Sequence, residues 1–131
     1  MIVVDASAMV ATLVGEGTGA TALRQRQRGE DAHAPHLLDI EVMSAIRRLL
    51  AAGDLTPEPA ERAVARLRAW PLRRHPHTAL LSRVHDLRTS ISSYDAAYLA
   101  LAEVVGAPLL TCDGRLARSD GHRATVELHP L

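Results

Sequence analysis

Apolar runs of three or four residues, too short for core helices, are separated along this chain by longer stretches whose apolar residues repeat at helical spacing. MIVV at 1–4 and PLLT at 108–111 are expected as buried strands, PLRRH at 71–75 as a shorter one, and ATVELHP at 124–130 as the last. Helix patterns fill 7–14, 21–29, 37–53, 57–70, 78–88 and 92–106, with one more turn over GRLARS at 114–119. HAPH at 33–36 is expected only to reset the chain before the longest helix. Strands alternating with helices fold as an α/β, three-layer sandwich, a mostly parallel central sheet flanked by helices. No linker, internal repeat or low-complexity stretch interrupts the 131 residues, so 1–131 is expected to be a single domain.

In such sheets ligands gather beyond the carboxyl ends of the strands. Two expected strands end within two residues of an aspartate, VVD at Asp5 and LLTCD at Asp113. An unsatisfied carboxylate at the edge of a core costs several kcal/mol, on the order of 3, so each must be accounted for. Asp5 either caps the helix that follows it or ligates a metal, and local rules do not choose. Asp113 precedes Gly114 and equally suits a turn. Asp95 falls in the first turn of the helix at 92–106, where Ser93 can cap and an acid suits the positive end of the helix dipole. Glu41 borders the apolar arc of Leu38, Val42, Ala45, Ile46 and Leu49, whereas Asp39 points away and is expected as plain surface.

Each acid has a bland explanation alone, but all four can face one rim of a parallel sheet. Like charges about 5 Å apart cost on the order of 3 kcal/mol per pair at an effective dielectric near 20. Protons or a divalent cation must offset that, and a purely oxygen ligand set selects hard ions, Mg²⁺ or Mn²⁺. The four carboxylates are accordingly expected to converge on one coordination sphere.

Other chemistries lack support. The His33/His36 and His75/His77 pairs have no zinc spacing with further ligands and are expected on the surface. GEGTG follows a helix and lacks the Lys-Ser/Thr of a phosphate loop. Ser7 has no glycine elbow, so a hydrolase triad is not indicated. Fifteen basic and fifteen acidic residues cancel, which removes bulk charge as an argument for polyanion binding. All the basic residues are Arg, and Arg24, Arg26, Arg28, Arg73 and Arg74 are either solvated faces or contacts to a nucleic acid backbone. Cys112 is alone, no run approaches the roughly 18 apolar residues of a membrane span, and with only four apolar residues before Asp5 and no basic start, no secretory leader is expected. A cytoplasmic location without membrane attachment is expected.

With its four acids placed, the sequence resembles the PIN-domain family, in particular the VapC-type ribonuclease toxins of bacterial type II toxin-antitoxin systems. The matching stretches are VVDASAMVA, DIEVMSAIRR, YDAAYLALAEVVGAPLLTCDGRL and the closing strand, in the family's order over nearly the whole chain. The resemblance implies a catalytic cluster of Asp5, Glu41, Asp95 and Asp113, with Asp5 and Asp95 the direct metal ligands and Ser7 and Thr111 supporting through hydrogen bonds. It also implies an Mg²⁺- or Mn²⁺-dependent endoribonuclease, a VapB-type antitoxin partner and a homodimer. The chain departs from relatives at Ser44, often Asn or Thr, and at Gly114 and Arg115, where some carry a further acid. Two rival functions fit the same residues: a metal- or RNA-binding module without turnover, and a phosphohydrolase with Asp5 as nucleophile. The second needs an acid two residues on, where Ser7 stands.

Overall fold

The computed structural model describes all 131 residues. Five strands, β1 (Ile2–Val4), β2 (Ala32–Pro35), β3 (Leu72–His75), β4 (Leu109–Thr111) and β5 (Val126–Leu128), form one sheet in the order β3-β2-β1-β4-β5. Every pairing is parallel. The first crossover carries α1 (Ala6–Val14) and α2 (Gly17–Arg26), the second α3 (Leu37–Ala52) and α4 (Pro57–Ala69). A 3₁₀ turn at Thr78–Leu80, α5 (Leu81–Asp86) and α6 (Ser93–Val105) return the chain to the far side of β1, and α7 (Gly114–Ala117) precedes β5. Right-handed crossovers put α1–α4 on one face and α5–α6 on the other, which is the expected three-layer α/β sandwich. No helix is long and apolar enough to cross a membrane.

The core is aliphatic, as a chain without Phe requires. Ile2, Val3, Val4, Leu109 and Leu110 of the two central strands and Leu99 and Leu101 of α6 are at most 1% exposed. Strands buried on both faces read as continuous apolar runs, which is why β1 and β4 were visible locally. Gly53 closes α3 as a glycine C-cap, turning left-handed at φ 76°. Glu58 and Arg62 pair one turn apart on α4, at 2.9 Å.

Five expectations from the sequence do not hold. HAPH is not a mere reset: Ala32–Pro35 is strand β2, buried throughout and paired with β1 and β3. His33 and Pro35 are poor strand markers, and the neighbouring strands rather than propensity hold the segment in the sheet. His33 is 5% exposed, and its Nδ1 lies 2.8 Å from His75 Nε2, so it is no surface histidine. Asp39 accepts two hydrogen bonds from Arg74, at 2.7 and 3.0 Å, instead of facing solvent alone. Ser92, not Ser93, caps α6 by accepting from the Asp95 amide at 3.2 Å. Helix α2 also starts at Gly17, four residues before the polar pattern suggested.

Several arginines are consumed by the fold. Arg24 donates to carbonyls of Thr12 and Gly15 at the end of α1, and Arg26 bridges Glu30 and Glu127. Arg83 grips Glu103 with two bonds of 2.8 and 3.0 Å, and the Arg123 amide donates to the same carboxylate. The Arg83 contact holds the Glu103 carboxyl below the usual glutamate range. A depressed carboxyl pKa stabilises the fold above its unfolded value and loses that contribution as pH falls through the folded value. Glu103→Gln is therefore expected to lower the Tm by roughly 3–4 °C at pH 7, about 1 kcal/mol, and by almost nothing near pH 3, as scanning calorimetry at both pH values would register.

Candidate active site

The strand order reverses between β1 and β4, so the crevice for a ligand opens at their carboxyl ends. Asp5 leaves β1 and Asp113 follows β4 there. The Asp5 carboxylate is 5% exposed and accepts three hydrogen bonds: Oδ1 from the Ala8 amide at 2.8 Å and the Ser7 hydroxyl at 2.7 Å, Oδ2 from the Thr111 hydroxyl. Ser7 Oγ in turn accepts from the Cys112 amide at 2.9 Å, and Thr111 Oγ1 from the Asp113 amide at 3.0 Å. Ser7 and Thr111 thus stitch the ends of the two strands together around Asp5. The helix cap and the cleft are not alternatives, because Asp5 does both. A carboxylate offers about four lone-pair sites, so one remains for a ligand.

The other acids reach the same cleft from separate elements. Glu41 of α3 accepts from the Tyr98 hydroxyl at 2.6 Å, Asp95 lies in the first turn of α6, and Asp113 accepts from the Arg115 amide at 2.9 Å. All four line one cavity of about 750 Å³ together with Tyr98, Arg48 and Arg115. Tyr98 and Arg48 were not singled out by sequence, and Arg115 was noted only as a departure from relatives. A signal existed for the first two: Tyr98 stands three residues after Asp95, and Arg48 seven after Glu41, each on the acid's own helix face.

The charges are crowded. Burial raises the Asp5 carboxyl above its ordinary pKa against the pull of its three hydrogen bonds, and the charge of Asp95 adds to the rise. Burial, then the charge of Asp113, raises Asp95. Burial also works on Asp113, but the Arg115 amide and guanidinium outweigh it and leave that carboxyl low. Cys112, half-buried beside Asp5, is pushed up to about 11 by burial and by the Asp5 charge, so its thiol stays protonated.

The donor set matches a small hard cation, being mainly carboxylate and hydroxyl oxygen, with no imidazole in the cleft and its one sulfur, Cys112, held as a neutral thiol. The expected convergence is looser than a closed coordination sphere, for no group of three or more acidic, histidine or cysteine side chains has the spacing to hold an ion. Each of Asp5, Glu41 and Asp113 is instead turned toward a protein donor. Mg²⁺ commonly keeps several waters and needs only one or two direct carboxylates, which two acids raised by burial in one cleft can supply.

A family model described as PIN domain matches residues 2–121. Ribonuclease VapC12 of Mycobacterium tuberculosis is 43% identical over 128 residues, 98% of each chain. VapC ribonuclease Mb0985 of Mycobacterium bovis is 37% identical over 130 residues, 99% of each chain. The crystal structure of PAE2754 from Pyrobaculum aerophilum matches with a TM-score of 0.72 at 21% identity, over 95% of this chain and 81% of that one, which speaks to the fold alone.

Proposed function

The chain belongs to the PIN-domain family, and from that premise we propose that it is a ribonuclease toxin of the VapC kind, an endoribonuclease dependent on Mg²⁺ or Mn²⁺. The observation that carries this reading is the meeting of four carboxylates from four elements at the switch point of the sheet, with arginines beside them. Asp5 and Asp95 would hold the ion directly, with Glu41 and Asp113 completing the acidic cluster around it. A metal held there would offset the phosphodiester charge and lower the pKa of bound water toward neutrality. The protein's part is to keep these groups in place: Ser7 and Thr111 fix the Asp5 carboxylate, and Arg115 restrains Asp113. In-line attack of water on phosphorus breaks the bond to the 3′ oxygen and leaves a 5′-phosphate and a 3′-hydroxyl.

Arg48 donates to Ser44 Oγ at 3.1 Å and has no carboxylate partner, so its charge is free for a backbone phosphate beside the scissile one. Arg48→Ala is expected to weaken RNA binding several-fold and to reduce the slope of log affinity against log salt by about 0.7, with Mn²⁺ affinity unchanged, as fluorescence anisotropy over a salt series would measure.

The decisive assay incubates purified protein with RNA and Mg²⁺ or Mn²⁺, then repeats it in EDTA. Cleavage that needs the ion supports the reading, and full activity in EDTA overturns it. RNA retention without cleavage under any divalent ion would favour a binding module instead. The aspartate-nucleophile alternative is weakened by the geometry, since both Asp5 oxygens already accept hydrogen bonds. A VapB-type antitoxin, a homodimer and a cytoplasmic location belong to the same proposal, and a monomer by light scattering at micromolar concentration would count against the dimer.

A further inference from the structure

We propose that Tyr98 is a positioning residue that aims the Glu41 carboxylate at the metal, by a hydrogen bond reaching from one helical layer to the other. The inference rests on the metal-site reading above and adds to it a residue and a role.

Tyr98 is 2% exposed in a core otherwise built from aliphatic side chains, and the second tyrosine, Tyr94, is 60% exposed. A buried phenol needs a partner for its hydroxyl. Here the partner is a carboxylate of the cleft, not a nearby backbone carbonyl. Glu41 accepts only acceptor-type bonds when ionised, so the phenol donates, at 2.6 Å to Oε1. No other hydrogen bond reaches the Glu41 side chain within the protein, whereas Asp5 has three and Asp113 has its own from Arg115. Tyr98 alone therefore sets the direction of Glu41.

The placement is economical. Asp95 and Tyr98 are three residues apart on α6 and face the same cleft, while Glu41 comes from α3 in the opposite layer. One helix thus brings a carboxylate of its own and the donor that holds another. With Oε1 occupied, Oε2 is left for the ion or a water on it. Hydrogen-bond partners of metal-held carboxylates typically contribute about 10–100-fold to metal affinity.

Tyr98→Phe keeps the ring and removes only the donor. Mn²⁺ titration calorimetry on the full chain without RNA is expected to show affinity weakened about 10-fold, and the metal concentration giving half-maximal cleavage should rise in step. A Tm measured in EDTA separates this from a purely structural bond: lower Tm with Mn²⁺ affinity unchanged within twofold overturns the role. Glu41→Gln supplies the second arm. If Tyr98 acts through Glu41, adding Tyr98→Phe to Glu41→Gln leaves Mn²⁺ affinity where the single variant put it, and a further 10-fold loss overturns the role. Absence of Mn²⁺ binding by the unsubstituted protein would overturn the metal-site reading and the role with it, whereas unchanged affinity in Tyr98→Phe overturns the role alone.

Discussion

Asp95→Asn is expected to abolish metal-dependent RNA cleavage, by roughly 10³-fold or more, while the protein melts within about 2 °C of the unsubstituted chain. Even an outer partner of a metal site is worth about 10–100-fold, and a direct ligand is worth more. In free energy a 10³-fold loss is about 4 kcal/mol of transition-state stabilisation. The fold is expected to survive because the cap of α6 uses the Asp95 amide, which Asn retains, with Ser92 Oγ as acceptor. Asp5 is the less clean test, since its replacement also removes the cap on Ala8 and the partner of both Ser7 and Thr111. Gel assays of RNA cleavage with Mg²⁺ or Mn²⁺, alongside calorimetry, check both halves. Cleavage persisting in Asp95→Asn at more than a few per cent would remove Asp95 from the metal site.

Leu99→Ala is expected to do the reverse. Leu99 is fully buried on α6, the helix that also carries Asp95 and Tyr98. Truncation loses the transfer free energy of the side chain and leaves a cavity, a cost of about 3 kcal/mol. For a chain of this size that lowers the Tm by roughly 10 °C, with the urea midpoint falling accordingly. Cleavage measured well below the melting transition should remain within about threefold, because no group of the cleft is altered. A Tm loss under about 3 °C would mean that α6 repacks onto the sheet, a result at odds with its tight aliphatic core. Together the two variants separate stability from chemistry on a single helix.

Much of the fold was legible because its signals are local. IVV and LLT are continuous apolar runs of strand length, and the long helices announce themselves by periodicity, by Gly53 at the end of α3 and by Gly106, left-handed at φ 67°, at the end of α6. β2 was not legible. His33 and Pro35 carry no strand propensity, and only pairing with β1 on one side and β3 on the other makes Ala32–Pro35 a strand. The acids were legible as positions: Asp5 and Asp113 just past strand ends, Asp95 in a first helical turn, Glu41 on the border of an apolar arc. Of their partners, the Ala8 amide was legible from capping and Ser7 and Thr111 from the family resemblance, whereas the Tyr98 hydroxyl on Glu41 was not.

Residue order and type alone determined an alternating α/β chain with an aliphatic core and four carboxylates at topologically equivalent points, because strand and helix periodicity and capping are set within a few residues. The tertiary structure decided which charges are spent and which are available. Asp39 went to Arg74, Glu103 to Arg83 and Arg26 to Glu127, while Arg48 was left facing the acids. It also decided that Glu41 is held by Tyr98, 57 residues away. Such pairings depend on how two layers pack across a sheet, and side chains that meet only after packing leave no mark on the local pattern of either helix.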